Sequence, residues 1–213
     1  MGSEELSRRY TAREERFSAW IHLAGTAGFT ACGWKLFGLY SSDKGELFLL
    51  SLIFYWLSLL FMFTASAVYH MVKSERAKQI ARKCDHCAIY LLITGTYAPL
   101  MTGVIADWRG YAVLGTLLLL TAAGIIMKFF YAGRFHKLEV ILYLLMGWLC
   151  MLVIKPLADS LPATGLWLLV AGGVTYTAGV AFYAIRKEFF HAVWHIFVLA
   201  GAWLQLLAVL TVR

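Results

Sequence analysis

Residues 47–70 read LFLLSLIFYWLSLLFMFTASAVYH. From Leu47 to Tyr69 there is no charged side chain, and the run ends on His70. A helix crossing the hydrocarbon core of a bilayer needs about 20 mostly apolar residues. This stretch meets that length with only hydroxyls as polar groups, and a hydroxyl can bond back to its own helix. Its solvent is lipid, which makes the chain a membrane protein.

Six further apolar runs follow the same rule, at 17–39, 86–106, 111–131, 138–157, 164–185 and 190–211. The reading is an all-α membrane protein, with one seven-helix transmembrane domain over 17–213 and a charged lead-in helix over 1–16. In the lead-in, Thr11 and Glu14 have capping-box spacing, which starts a helix that runs on into the first span. Gly25, Gly28 and Gly33 mark the first span as one that packs closely on a neighbour, and Gly172, Gly173 and Gly179 mark the sixth. Pro99 and Pro156 fall inside the third and fifth spans, where a membrane helix tolerates a kink if neighbours satisfy the freed backbone groups.

The composition agrees. Of 213 residues, 61% are hydrophobic and 15% charged, with a mean hydropathy of +0.71. Soluble domains are roughly 45–50% apolar. The net charge of +7 is an orientation signal, not a nucleic-acid signal. With the N-terminus cytoplasmic, only Lys35, Lys44, Arg109, Lys155 and Arg213 of the 19 cations fall outside. The rest lie inside, most densely in the loop expected over Met71–Lys83, as the positive-inside rule requires. Seven spans then put the C-terminus outside, in a multi-pass protein of the cell membrane. The first apolar run is too long for the h-region of a cleaved signal peptide, so it is expected to remain as an anchor.

Ionisable groups at the edge of a hydrocarbon slab are costly and mark function when they converge. His70 closes the second span, Asp85 opens the third, and His191 and His195 open the seventh. Alternating span direction brings these ends to one side of the bilayer. His191 and His195 share a helix face, as do Ser66 and His70. One interfacial histidine or one helix-capping aspartate is ordinary; several at one membrane depth point to a site. Three imidazoles with an open fourth position suit a catalytic zinc ion. His70, His191 and His195 are the expected ligands, Asp85 the general base and Ser66 a hydrogen-bond donor to a substrate carbonyl. His22, one turn inside the first span, stands outside the ligand set as a candidate for the surrounding shell. His136 falls in a basic loop. Cys84 and Cys87 form a C-x-x-C without the βαβ setting of a redox motif, and the simpler reading is two small apolar side chains on one helix face. Residues 190–211 contain no lysine, which excludes a retinal protein.

Four motifs carry a family resemblance. They are Glu14-Glu15 followed by His22; Ser66-x-x-Tyr69-His70; Asp85-His86 followed by Ile89-Tyr90-Leu91-Leu92-Ile93 and Gly95-Thr96-Tyr97-Ala98-Pro99; and His191-Ala192-Val193-Trp194-His195-Ile196-Phe197-Val198. In this order they resemble the hemolysin III family, the bacterial branch of the progestin and adiponectin receptor superfamily. The resemblance implies a seven-helix bundle with zinc near the cytoplasmic face. Three histidines matching His70, His191 and His195 would hold it, with Asp85 and Ser66 close by. The wider superfamily is similar to alkaline ceramidases, which implies hydrolysis of a lipid amide or ester. The chain departs from the family pattern at Ser18, where asparagine is common, and at Gln205, where a further histidine is common.

Two classes of function follow. One is a zinc-dependent intramembrane hydrolase with a lipid or fatty-acyl substrate, whose cavity is lined in part by Thr94, Gly95 and Thr96. The other is a non-catalytic, lipid-responsive receptor or regulator with structural zinc, or a hemolysin-type pore. The outer halves of the spans carry few ionisable residues, which ranks the pore last.

Overall fold

A computed structural model describes residues 10–130, 136–185 and 187–212. The described residues are mostly helical, with no strand among them: α1 (Ala12–Phe37), α2 (Gly45–Met71), α3 (Glu75–Gly103), α4 (Trp108–Phe130), α5 (His136–Gly147), α6 (Ile154–Ser160), α7 (Ala163–Ala184) and α8 (Phe190–Val209). Residues 1–9 of the expected lead-in, with Arg8 and Arg9, lie outside the described residues, as do Arg134, Arg186, Arg213 and the side chain of His136. His136 itself opens α5 rather than lying in a loop.

From Ala12 onward, the end of the lead-in and the first span form one helix. The Thr11 hydroxyl accepts from the Glu14 N–H at 3.2 Å, and the Glu14 carboxylate accepts from the Thr11 N–H at 2.8 Å. This is the capping box that the sequence spacing predicts. The buried face of α1 runs Ser18, His22, Gly25, Phe29, Gly33, Leu36, a stripe at helical spacing. A methyl group on Gly25 would overlap the Phe63 ring, and one on Gly33 would overlap Trp56. Those two glycines let α1 lie directly on α2, where the Trp56 indole N–H donates to the Phe29 carbonyl at 3.1 Å.

Five stretches are long and apolar enough to cross a membrane: Ser42–Met71, Trp108–Phe130, Lys137–Ser160, Ala163–Ala184 and Phe190–Val209. α1 and α3 fall short in apolarity for a physical reason. Both turn small and polar residues inward, and every residue of α3 from Thr94 to Thr102 is buried. Helices that pack on other helices replace bulk with glycine and threonine. The outer surface is the reverse. Leu119 is 74% exposed and Leu152 77%, positions that water would penalise and lipid does not. Trp34, Trp108 and Trp167 are exposed at helix ends, where indoles favour the membrane interface.

α2 packs between α1 and α3, α4 packs on α3, α7 packs on α8, and α8 returns to α1. That last contact positions the site, because it brings the start of α8 beside α1 and the end of α2.

Two expectations need correction. The basic segment Met71–Lys83 is mostly helix, since α3 starts at Glu75. Arg76, Lys78, Arg82 and Lys83 are good helix formers, and they extend α3 beyond its apolar part. The fifth span is broken rather than kinked. α5 ends at Gly147, a 3-10 stretch runs Leu149–Val153, and α6 carries Pro156. The Tyr97 hydroxyl from α3 repairs the break, donating to the Gly147 carbonyl at 2.6 Å and accepting from the Cys150 N–H at 2.9 Å.

Candidate metal centre

His191 and His195 sit one turn apart in the first turns of α8, and His70 is in the last turn of α2. The α1–α2 and α1–α8 contacts bring these ends together. The Nε2 of His195 lies 2.9 Å from Nε2 of His70 and 2.9 Å from Nε2 of His191. One donor nitrogen from each ring falls in a group whose members lie within 4.8 Å of one another, and all three residues are buried.

The donor chemistry fits a metal ion. An imidazole ring offers one proton and one lone pair when neutral. The single Nε2 of His195 cannot hold one proton towards both neighbours, so hydrogen bonding alone does not satisfy the three converging nitrogens. Donors around a tetrahedral zinc at about 2.0–2.1 Å are spaced by roughly 3.3 Å. The 2.9 Å separations lie within a few tenths of an ångström of that value.

The outer nitrogens point the same way. The Nδ1 of His70 is 2.6 Å from Oε2 of Glu15, whose other oxygen takes a hydrogen bond from the Lys78 ammonium at 2.5 Å. The Nδ1 of His195 is 2.8 Å from Nε2 of His22. Metal-binding histidines commonly hold their second nitrogen in this way, which fixes ring orientation and tautomer. Burial raises the Glu15 pKa, but the hydrogen bonds from His70 and Lys78 outweigh it, leaving the carboxyl below its ordinary value.

The other expected residues are placed unequally. Asp85 is buried and lines a cavity of about 1460 Å³, whose wall also holds His70 and His191. It stands outside the converging donors. Ser66 is 1% exposed, one turn deeper than His70, and its hydroxyl has no hydrogen-bond partner among the described residues. It does not line that cavity. Cys84 and Cys87 are unpaired thiols outside the histidine group.

A second, apolar cavity of about 140 Å³ lies deeper, among α3, α5, α7 and α8. It shares Ile89, Tyr143, Val180 and Trp194 with the first. Thr96 lines it as expected, but Thr94 and Gly95 do not. Thr94 instead bonds Thr121 across to α4 at 2.7 Å, and Gly95 packs against Ser58 and Tyr55 of α2. Gln205 lines this cavity too and ties α8 to α7 through the Leu169 carbonyl at 3.0 Å.

Sequence reasoning left Glu15 without a role and gave His22 only a possible one. The Glu14-Glu15 and His22 motif marked both, but their contacts to α2 and α8 lie far away in sequence.

The family model described as Haemolysin-III related matches residues 10–206. The Hemolysin-3 homolog of Bacillus subtilis (strain 168) is 37% identical over 166 residues, covering 77% of this chain and 78% of that protein. Hemolysin-3 of Bacillus cereus is 37% identical over 157 residues, 73% of this chain and 72% of the relative. The human monocyte to macrophage differentiation factor is 30% identical over 163 residues, 70% of this chain and 64% of its own. With a family model matched over nearly its whole length and relatives at this identity, the chain belongs to the hemolysin III family.

Proposed function

We propose that this protein is a zinc-dependent hydrolase of a lipid amide or ester, working at the cytoplasmic edge of the cell membrane. In this reading all seven long helical stretches cross the bilayer, with the N-terminus inside. The observation that carries it is the convergence of His70, His191 and His195, two of which, His70 and His191, stand on the wall of a large cavity that Asp85 also lines.

His70, His191 and His195 would hold a zinc ion. Zinc bound there supplies Lewis acidity, which polarises a carbonyl and lowers the pKa of a water molecule towards about 7. Asp85 accepts the proton as water attacks and passes it to the leaving amine or alcohol as the C–N or C–O bond breaks, and its place on the cavity wall leaves it open to substrate. The unpartnered Ser66 hydroxyl donates to the carbonyl oxygen as charge develops there. A three-nitrogen donor set would leave a fourth position, as catalytic zinc sites do and closed structural sites do not. The apolar cavity beyond Ile89 and Trp194 accepts acyl methylenes, and helix α3 walls both chambers.

The test is release of fatty acid from lipid amides and esters by purified protein in mixed micelles. Turnover that zinc restores after chelation supports the proposal. A protein that keeps zinc and hydrolyses neither class contradicts it, and favours a lipid-responsive protein with a structural metal.

A further inference from the structure

We infer that the first three turns of α1 are a positioning clamp for the metal centre, in which Glu15 and His22 set the tautomers of two ligands and thereby the metal affinity. The inference rests on the metal reading above, but not on hydrolysis.

α1 contributes none of the three ligands, yet it touches two of them, and the residue that leads into it touches the third. Glu15 meets Nδ1 of His70 at 2.6 Å, and His22 meets Nδ1 of His195 at 2.8 Å. The Tyr10 ring, just ahead of the capping box, stacks on His191 with centroids 4.4 Å apart and planes 19° from parallel. Glu14 adds a backbone anchor. Its Oε1 accepts the Phe189 N–H at 2.6 Å. Phe189 has φ 63°, a left-handed conformation costly for a side chain of that size, and it lies two residues before His191. The Glu14 contact holds the turn from which α8 starts.

The proton assignments follow from chemistry. An ionised carboxylate only accepts, so Nδ1 of His70 carries the proton and Nε2 keeps its lone pair. If His22 Nε2 accepts from Nδ1 of His195, then His195 Nε2 also presents a lone pair, towards those of His70 and His191. Without the clamp, either ring can hold its proton on Nε2, the tautomer that cannot bind a metal through that nitrogen. His22 is fully buried, so this partner is shielded from water. Glu15 also pairs with Lys78 of α3, which ties α1, α2 and α3 at one point.

Coupling of this kind is reciprocal. Whatever α1 adds to metal binding, the metal adds to the docking of α1.

The test uses full-length protein in detergent, with zinc affinity read by competition against a chelator of known affinity. Glu15→Ala and His22→Phe are expected to weaken zinc binding about 10–100-fold. Glu15→Gln and His22→Gln keep an acceptor at the same place and are expected to recover most of that loss. Thr30→Ala, on the exposed face of α1, is expected to bind as wild type. A second arm measures hydrogen exchange in residues 12–22 of the wild-type protein, zinc-loaded and stripped. Faster exchange on stripping is expected, and this arm does not depend on any variant folding. Unchanged affinity in both Glu15→Ala and His22→Phe overturns the clamp, as does equal loss in the conservative variants or unchanged exchange on stripping. Absence of zinc binding in wild type overturns the metal reading as well, whereas tight wild-type binding with indifferent variants overturns the clamp alone.

Discussion

At the scale of single residues, Asp85 and Ser66 separate chemistry from metal binding, because neither belongs to the converging donors. In the proposed mechanism Asp85→Asn removes the base without removing a ligand. It is expected to lower lipid hydrolysis by about 10²–10⁴-fold while zinc content stays at the wild-type level. Ser66→Ala removes one donor to the developing oxyanion, for a loss of about 10²–10³-fold in turnover. Both are read from initial rates beside metal content on the same preparations. The histidines were legible in the sequence because i, i+4 spacing and alternating spans are local rules. The partners of their outer nitrogens were not, since Glu15 and His70 are 55 positions apart and His22 and His195 are 173 apart. Only the closure of α8 onto α1 makes those neighbours.

At the scale of elements, two buried polar arrangements hold helices whose own sequence would not. Tyr97 bridges the interruption between α5 and α6, supplying a donor to Gly147 and an acceptor to Cys150. Tyr97→Phe leaves the Cys150 N–H unsatisfied and the Gly147 carbonyl with only the weak Cys150 thiol contact, and is expected to cost about 1–3 kcal/mol, read as a lower midpoint of thermal unfolding in detergent. The second is Lys128 of α4, which donates to both oxygens of Glu139 on α5 and to Nδ1 of His86 on α3, at 3.1, 2.9 and 2.8 Å. Breaking a buried pair leaves an uncompensated charge, so Lys128→Met is expected to destabilise by about 3–5 kcal/mol. The double variant Lys128→Met/Glu139→Leu is expected to recover much of it, since apolar packing replaces such pairs well. Hydropathy located the apolar runs, because burial in lipid is written in composition. It missed the charged beginning of α3, where helix formation depends on propensity and not on apolarity, and the break before Pro156, which Tyr97 stabilises from another helix.

At the scale of the whole molecule, the proposed topology joins the cation distribution to the candidate metal centre. In that topology most cations and the histidine cluster share the side of the N-terminus. The account predicts that a reporter fused to the C-terminus is active only outside the cytoplasm and that one at the N-terminus is active only inside. The bundle's central consequence is that helices far apart in sequence deliver three imidazoles to one point. Metal content of detergent-purified protein, measured by mass spectrometry, tests this most directly, for wild type and for His191→Ala/His195→Ala. The account predicts about one zinc per chain in wild type, for a site of three protein ligands, and its loss in the double variant. Folded wild-type protein that takes up no zinc when zinc is supplied, or a double variant that keeps it, would contradict the account.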